Sequence, residues 1–184
     1  LREKQPTAEI LIHKTWSNEK GSPVEAFEDY YKSNQEWMTE EIDWCVNNAS
    51  EVLGKVKTDS GLEVSQGGKP LRIIPAGDAV NIARQSPMFQ TTHNGNYTWT
   101  TYKEPENMEK LYPDRVSLHR DSYHLSYKYG RYMVALVWFS CLTGKSVAND
   151  TFVNPQEVYR INDEERAILT NAAERAVIES GIWR

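Results

Sequence analysis

The stretch that decides the fold is Leu71-Arg72-Ile73-Ile74-Pro75-Ala76-Gly77-Asp78-Ala79-Val80. Its first half is short, apolar and rich in β-branched residues, which reads as a buried strand. Its second half loses that character, and Asp78 can cap a short helix running through Arg84. Upstream, Ala8-Glu9-Ile10-Leu11-Ile12-His13 has the same look after Pro6, a strand buried on both faces. Between the two, Ser22-Pro23 opens a helical stretch to about Lys57, with Phe27, Tyr30, Tyr31, Trp37, Met38, Ile42, Cys45 and Val46 recurring at spacings of three and four. Strand, long helix, strand, helix is the alternation of a parallel sheet with right-handed crossovers.

Downstream, Asn94-Gly95 between polar, threonine-rich arms predicts a hairpin over about 90–102, an appendage on the main sheet. The apolar run Tyr132 to Cys141 predicts a buried helix over Ser126 to Leu142. Ser126 is its cap, Tyr132, Ala135, Trp138, Phe139 and Leu142 its core stripe, and Gly144 its terminator. A last helix starts at Asp163 behind Asn162, with Asp163, Glu164 and Glu165 at its positive end, and stops near Ser180-Gly181.

With 184 residues, 39% hydrophobic and including six tryptophans, the chain is long enough for one folded domain spanning 1–184. A net charge of −5 argues against nucleic acid, which needs a basic face. No apolar run approaches the roughly 20 residues of a membrane-spanning helix. Cys45 and Cys141 fall in apolar helix-like stretches, where a buried free thiol is the usual outcome.

Chemistry concentrates in Arg120-Asp121-Ser122-Tyr123-His124-Leu125-Ser126. Asp121 and His124, three apart in a pre-helix loop, can point the same way. An aspartate accepting from one ring nitrogen fixes the tautomer and leaves the other nitrogen as general base. The plainer reading is a surface loop in which His124 packs or caps. His13 and Trp16 follow the first strand, at the end where open α/β sheets place ligands, and Asp78 follows the second. Here too there are plainer readings: a packed histidine, a core tryptophan and a helix cap. Tyr97, Trp99 and Tyr102 near the hairpin are stacking surfaces for a sugar or simple packing. Thr143-Gly144-Lys145-Ser146 is no phosphate loop, because it ends a helix where a phosphate loop opens one. His119, Asp121 and His124 lack the third ligand spacing of a metal site, so no metal is expected.

Asp121-x-x-His124-Leu125-Ser126, followed by Gly130-Arg131-Tyr132, an apolar helix, Trp138 and Leu142-Thr143-Gly144, resembles the last block of SGNH-type (GDSL-like) hydrolases. The likeness is greatest to a bacterial branch known only as a domain of unknown function. Ile12-His13-Lys14-Thr15-Trp16 and Ile73-Ile74-Pro75-Ala76-Gly77-Asp78-Ala79-Val80, with Ala83-Arg84 behind it, resemble the same branch. The resemblance runs from about Thr7 to Ser146. It implies a flavodoxin-like, three-layer α/β fold of which this chain is the C-terminal part, with parallel strands near 8–13 and 71–75 flanked by helices. It also implies a secreted or periplasmic esterase acting on acylated carbohydrate or another small ester, with no cofactor. Asp121 and His124 would complete a Ser-His-Asp triad, and His13, Trp16 and Asp78 would line the substrate crevice.

The Gly-Asp-Ser block and the two middle blocks of that family do not occur in this sequence. The one Gly-Asp, Gly77-Asp78, is followed by alanine. The serine is therefore expected from outside these 184 residues, from a missing N-terminal half. Two parallel strands alone also leave a sheet edge that the missing half or another chain has to cover. The alternative is a non-catalytic carbohydrate-binding or interaction module that keeps the fold without the nucleophile.

Overall fold

The structure is a computed structural model, and it describes residues 9–19, 40, 43–45, 48, 72–90, 116–120, 124–181 and 183. The two predicted strands form, shorter than expected: β1, Leu11–His13, and β2, Arg72–Ile74. They pair in parallel with Leu11 opposite Arg72, Ile12 opposite Ile73 and His13 opposite Ile74. Helices α1 (Ala76–Ala83), α2 (Gly130–Thr143) and α3 (Asp163–Glu179) accompany this small sheet, so the chain is a mixed α/β structure. Burial on both strand faces is not what is found. Leu11 and Ile12 are half-buried, His13 is exposed, and in β2 only Ile74 is fully covered. With two strands among the described residues the sheet is all edge, and each strand lacks a neighbour on one side.

One outer edge is met by Trp183. Lys14 N–H donates to the Ile74 carbonyl oxygen at 3.0 Å, so that oxygen faces β1. The preceding carbonyl, on Ile73, therefore points outward by the alternation of the ladder. There the Trp183 indole N–H donates to it at 2.6 Å, while the Arg72 guanidinium lies 3.5 Å above the Trp183 ring.

α3 packs against both α1 and α2, burying Leu169, Ala172, Ala173, Ala176 and Val177. These fall at i, i+3, i+4, i+7 and i+8, and the three alanines let the backbones approach closely. The expected cap at Asn162 is present as a reciprocal pair. Asn162 Oδ1 accepts from Glu165 N–H at 2.9 Å, and Glu165 Oε2 accepts from Asn162 N–H at 2.8 Å. The shared core brings Ile74 and Val80 together with Phe89, Leu118, Tyr129, Met133 and Val137.

Three expectations are corrected. The buried stripe of α2 is Met133, Leu136, Val137, Ser140 and Cys141; of the predicted stripe Tyr132 packs against the core, whereas Trp138, Phe139 and Leu142 face out at 36%, 47% and 60% exposure. A helix apolar all round gives periodicity nothing to select a face with. Ser140 joins the buried face because its hydroxyl donates to the Lys145 carbonyl at 2.8 Å. Asp78 does not cap α1. The helix starts behind Pro75 with no side-chain cap, and Asp78 lies inside its first turn. Cys45 is exposed, in a helical segment that includes Glu40, residues 43–45 and Asn48, while Cys141 is buried as expected.

Gly144 ends α2 in the left-handed conformation, φ 69°, with its N–H donating to the Ser140 carbonyl at 2.8 Å. The hairpin expected at about 90–102 and most of the helical stretch from Ser22 to Lys57 lie outside the described residues. Among those described, no helix is long and apolar enough to cross a membrane.

Candidate active site

The loop carrying His124 is pinned at its base. His119 and Leu125 form an antiparallel bridge, Arg120 N–H donates to the His124 carbonyl at 2.9 Å, and Ser126 N–H donates to the Leu118 carbonyl at 2.8 Å. Ser126 is the predicted cap one turn early. Its hydroxyl donates to the Ser117 carbonyl at 2.8 Å and accepts from the N–H groups of Tyr129 and Gly130 at 3.3 and 3.1 Å. The start of α2 presses on this loop so closely that a Cβ on Gly130 would stand 2.3 Å from the Leu118 carbonyl oxygen. The guanidiniums of Arg120 and Arg131 lie 4.9 and 3.9 Å from the centre of the Tyr127 ring. His124 thus sits on a clasp fixed at both ends. Asp121 lies outside the described residues.

His124 lines a groove of about 410 Å³ together with Trp16, Leu125, Arg131, Val134, Ala135 and Trp138. The walls are mostly apolar, with His124 and Arg131 as the polar groups. His13 adjoins two of them. Its ring meets Trp16 edge to face at 5.8 Å between centroids and lies beside Trp138 at 5.6 Å. The Trp138 indole N–H donates to His13 Nδ1 at 3.1 Å. Partial burial of His13 lowers its pKa below the ordinary 6.5, since the charged form loses solvent. Three sequence-selected residues are therefore gathered in one place: His124 and Trp16 in the groove, His13 beside it.

Asp78 joins Lys14 and Asp43 instead of the groove. It is not among the groove's lining residues, and its Oδ1 lies 2.9 Å from Nζ of the buried Lys14, which also meets Asp43 at 2.9 and 3.0 Å. Burial raises the Asp78 pKa, opposed by the Lys14 hydrogen bond and charge and reinforced by Asp43 and Glu179. A buried ammonium needs such partners.

Behind the clasp lies a polar cluster that sequence reasoning missed. Arg84 donates to Ser17 Oγ at 2.9 Å and to the Asn18 carbonyl at 3.1 Å, and its Nη2 stands 3.2 Å from both ring nitrogens of His119. His119 Nε2 is also 3.2 Å from the Ser17 carbonyl. A carbonyl only accepts, so Nε2 carries the proton and Nδ1 accepts from Arg84. Ser117 donates to the buried Glu19 at 2.7 Å. Burial lowers the Arg84 pKa to about 10, with the Glu19 charge acting in the opposite sense. His119 is thereby a buried strut between the loop, the segment after β1 and the end of α1. Its signal in sequence was one polar residue beside the Asp-x-x-His spacing, which did not separate strut from ligand.

Residues 106–176 match the family model "Domain of unknown function (DUF4886)". That span contains the whole clasp, α2 and most of α3. The fold is similar to that of a DUF4886 family protein from Bacteroides uniformis ATCC 8492 in its crystal structure, with a TM-score of 0.58 and 23% sequence identity. The likeness covers 93% of this chain and 48% of that one, so the chain spans about half the length of the protein it matches. No curated protein matches it.

Proposed function

We propose that the chain is the acid/base part of an SGNH-type serine esterase, with the three-layer α/β fold of that superfamily, acting on an acylated carbohydrate or another small ester. His124 beside an apolar groove is the observation that carries the reading. The groove suits an acyl group, and a histidine at its wall has the reach to take a proton from a serine hydroxyl and return it to the leaving alcohol. Asp121, three residues before it on the same pinned loop, would hold the imidazole tautomer and stabilise its charged form. Trp16 forms another wall of the groove. In this reading the serine comes from outside these 184 residues.

The test uses the complete protein with p-nitrophenyl acetate. Replacing His124 with alanine is expected to lower kcat by about 10²–10⁴-fold, the usual contribution of a general base. Full activity in that variant would end the triad assignment. Absence of turnover together with absence of fluorophosphonate labelling would instead favour the non-catalytic binding module.

A further inference from the structure

The hydrogen bond between Trp138 and His13 joins residues 125 apart in the chain and fixes more than packing. An indole N–H only donates, so His13 Nδ1 must be the acceptor. The neutral ring then carries its single proton on Nε2. Protonating Nδ1 would set two donors face to face at 3.1 Å, and the partial burial of the ring opposes the charged form as well. Trp16, edge-on to the same ring, holds it from a second side. Both tryptophans are walls of the groove that contains His124. Among the described residues Nε2 has no partner, and the side chain is exposed at the C-terminal end of β1.

We propose that His13 is a substrate-positioning residue, locked by Trp138 as the Nε2–H tautomer, which donates a hydrogen bond to an acceptor oxygen of an ester that occupies the groove and extends past its Trp16 and Trp138 walls. The inference rests on the esterase reading for its substrate, but the tautomer lock stands on geometry alone. A neutral, fixed donor orients an ester oxygen without supplying a charge. That role differs from the base assigned to His124.

The lock is read directly by ring ¹⁵N NMR of the labelled chain. His13 is expected to show a protonated Nε2 and an unprotonated Nδ1, and Trp138→Phe is expected to give a mixture of tautomers. In the complete protein, His13→Phe is expected to raise KM for p-nitrophenyl acetate about tenfold, the size of one neutral hydrogen bond, with kcat changed by less than about threefold. His13→Gln, whose amide nitrogen can stand near the position of Nε2, should recover most of the KM. A His13 ring protonated at Nδ1 overturns the proposal. An unchanged KM in His13→Phe also overturns it, provided that His124→Ala has abolished turnover. If His124→Ala leaves turnover intact, it is the esterase reading that fails, and the substrate assigned to His13 falls with it.

Discussion

At Gly130 a single hydrogen decides the sign of a substitution. Glycine to alanine inside an open helix gains about 1 kcal/mol from propensity. Here the new Cβ would stand 2.3 Å from the Leu118 carbonyl oxygen, which is backbone and pinned by Ser126. Gly130→Ala is therefore expected to lose about 1–3 kcal/mol, as overpacking does, read as a lower urea midpoint. His13 gives a prediction with pH. Its folded pKa is below 6.5, so the folded state binds fewer protons than the unfolded chain in that window. Its contribution to stability is complete above pH 6.5 and is lost as pH falls through that value toward the lowered folded pKa. Denaturation midpoints measured across mildly acidic pH should show this fall, and His13→Gln should flatten it. The closeness of His13 and Trp16 was legible in the sequence because it is local. The bond from Trp138 to His13 was not, because no local pattern encodes a contact across 125 residues.

Among the elements, α3 was the most legible, with cap, acidic first turn and terminating Ser180-Gly181 all where the sequence put them. Asn162→Ala removes half of the reciprocal cap and is expected to cost about 1 kcal/mol. The strands were legible as parallel partners, since short β-branched runs separated by a helical stretch have few other solutions. The orientation of α2 was not legible. Its exposed apolar residues leave a direct comparison: Met133→Ala is expected to lose about 2–5 kcal/mol, as buried truncations do. Leu142→Ser, on the face predicted to be core, should stay within about 0.5 kcal/mol. Thermal or chemical denaturation of the two variants decides which face is inside.

For the whole molecule, the incomplete surfaces fall on neighbouring ground. β2 has its outer edge met by Trp183, while the side of β1 away from β2 has no strand beside it among the described residues. Trp138, bonded to the last residue of β1, belongs to the apolar face of α2 that continues through Phe139 and Leu142. An apolar helix face beside an open strand edge favours association. Light scattering on the isolated chain is expected to show mass rising with concentration, and Phe139→Asp with Leu142→Asp to reduce the rise. A monomer at all concentrations would count against an interface there.

The buried cluster behind the clasp constrains how this protein can vary. Ser17 and Glu19, Arg84, and Ser117 with His119 come from three separated segments, yet each satisfies a polar atom of another. Replacing Glu19 alone removes the acceptor of the Ser117 hydroxyl and a negative charge that favours the Arg84 cation, a loss of about 1–3 kcal/mol. Single steps away from this set are therefore uphill, while concerted replacement by apolar residues is far less so. Lineages descending from this chain should exchange these positions together or keep them together, even where the surrounding loops drift freely.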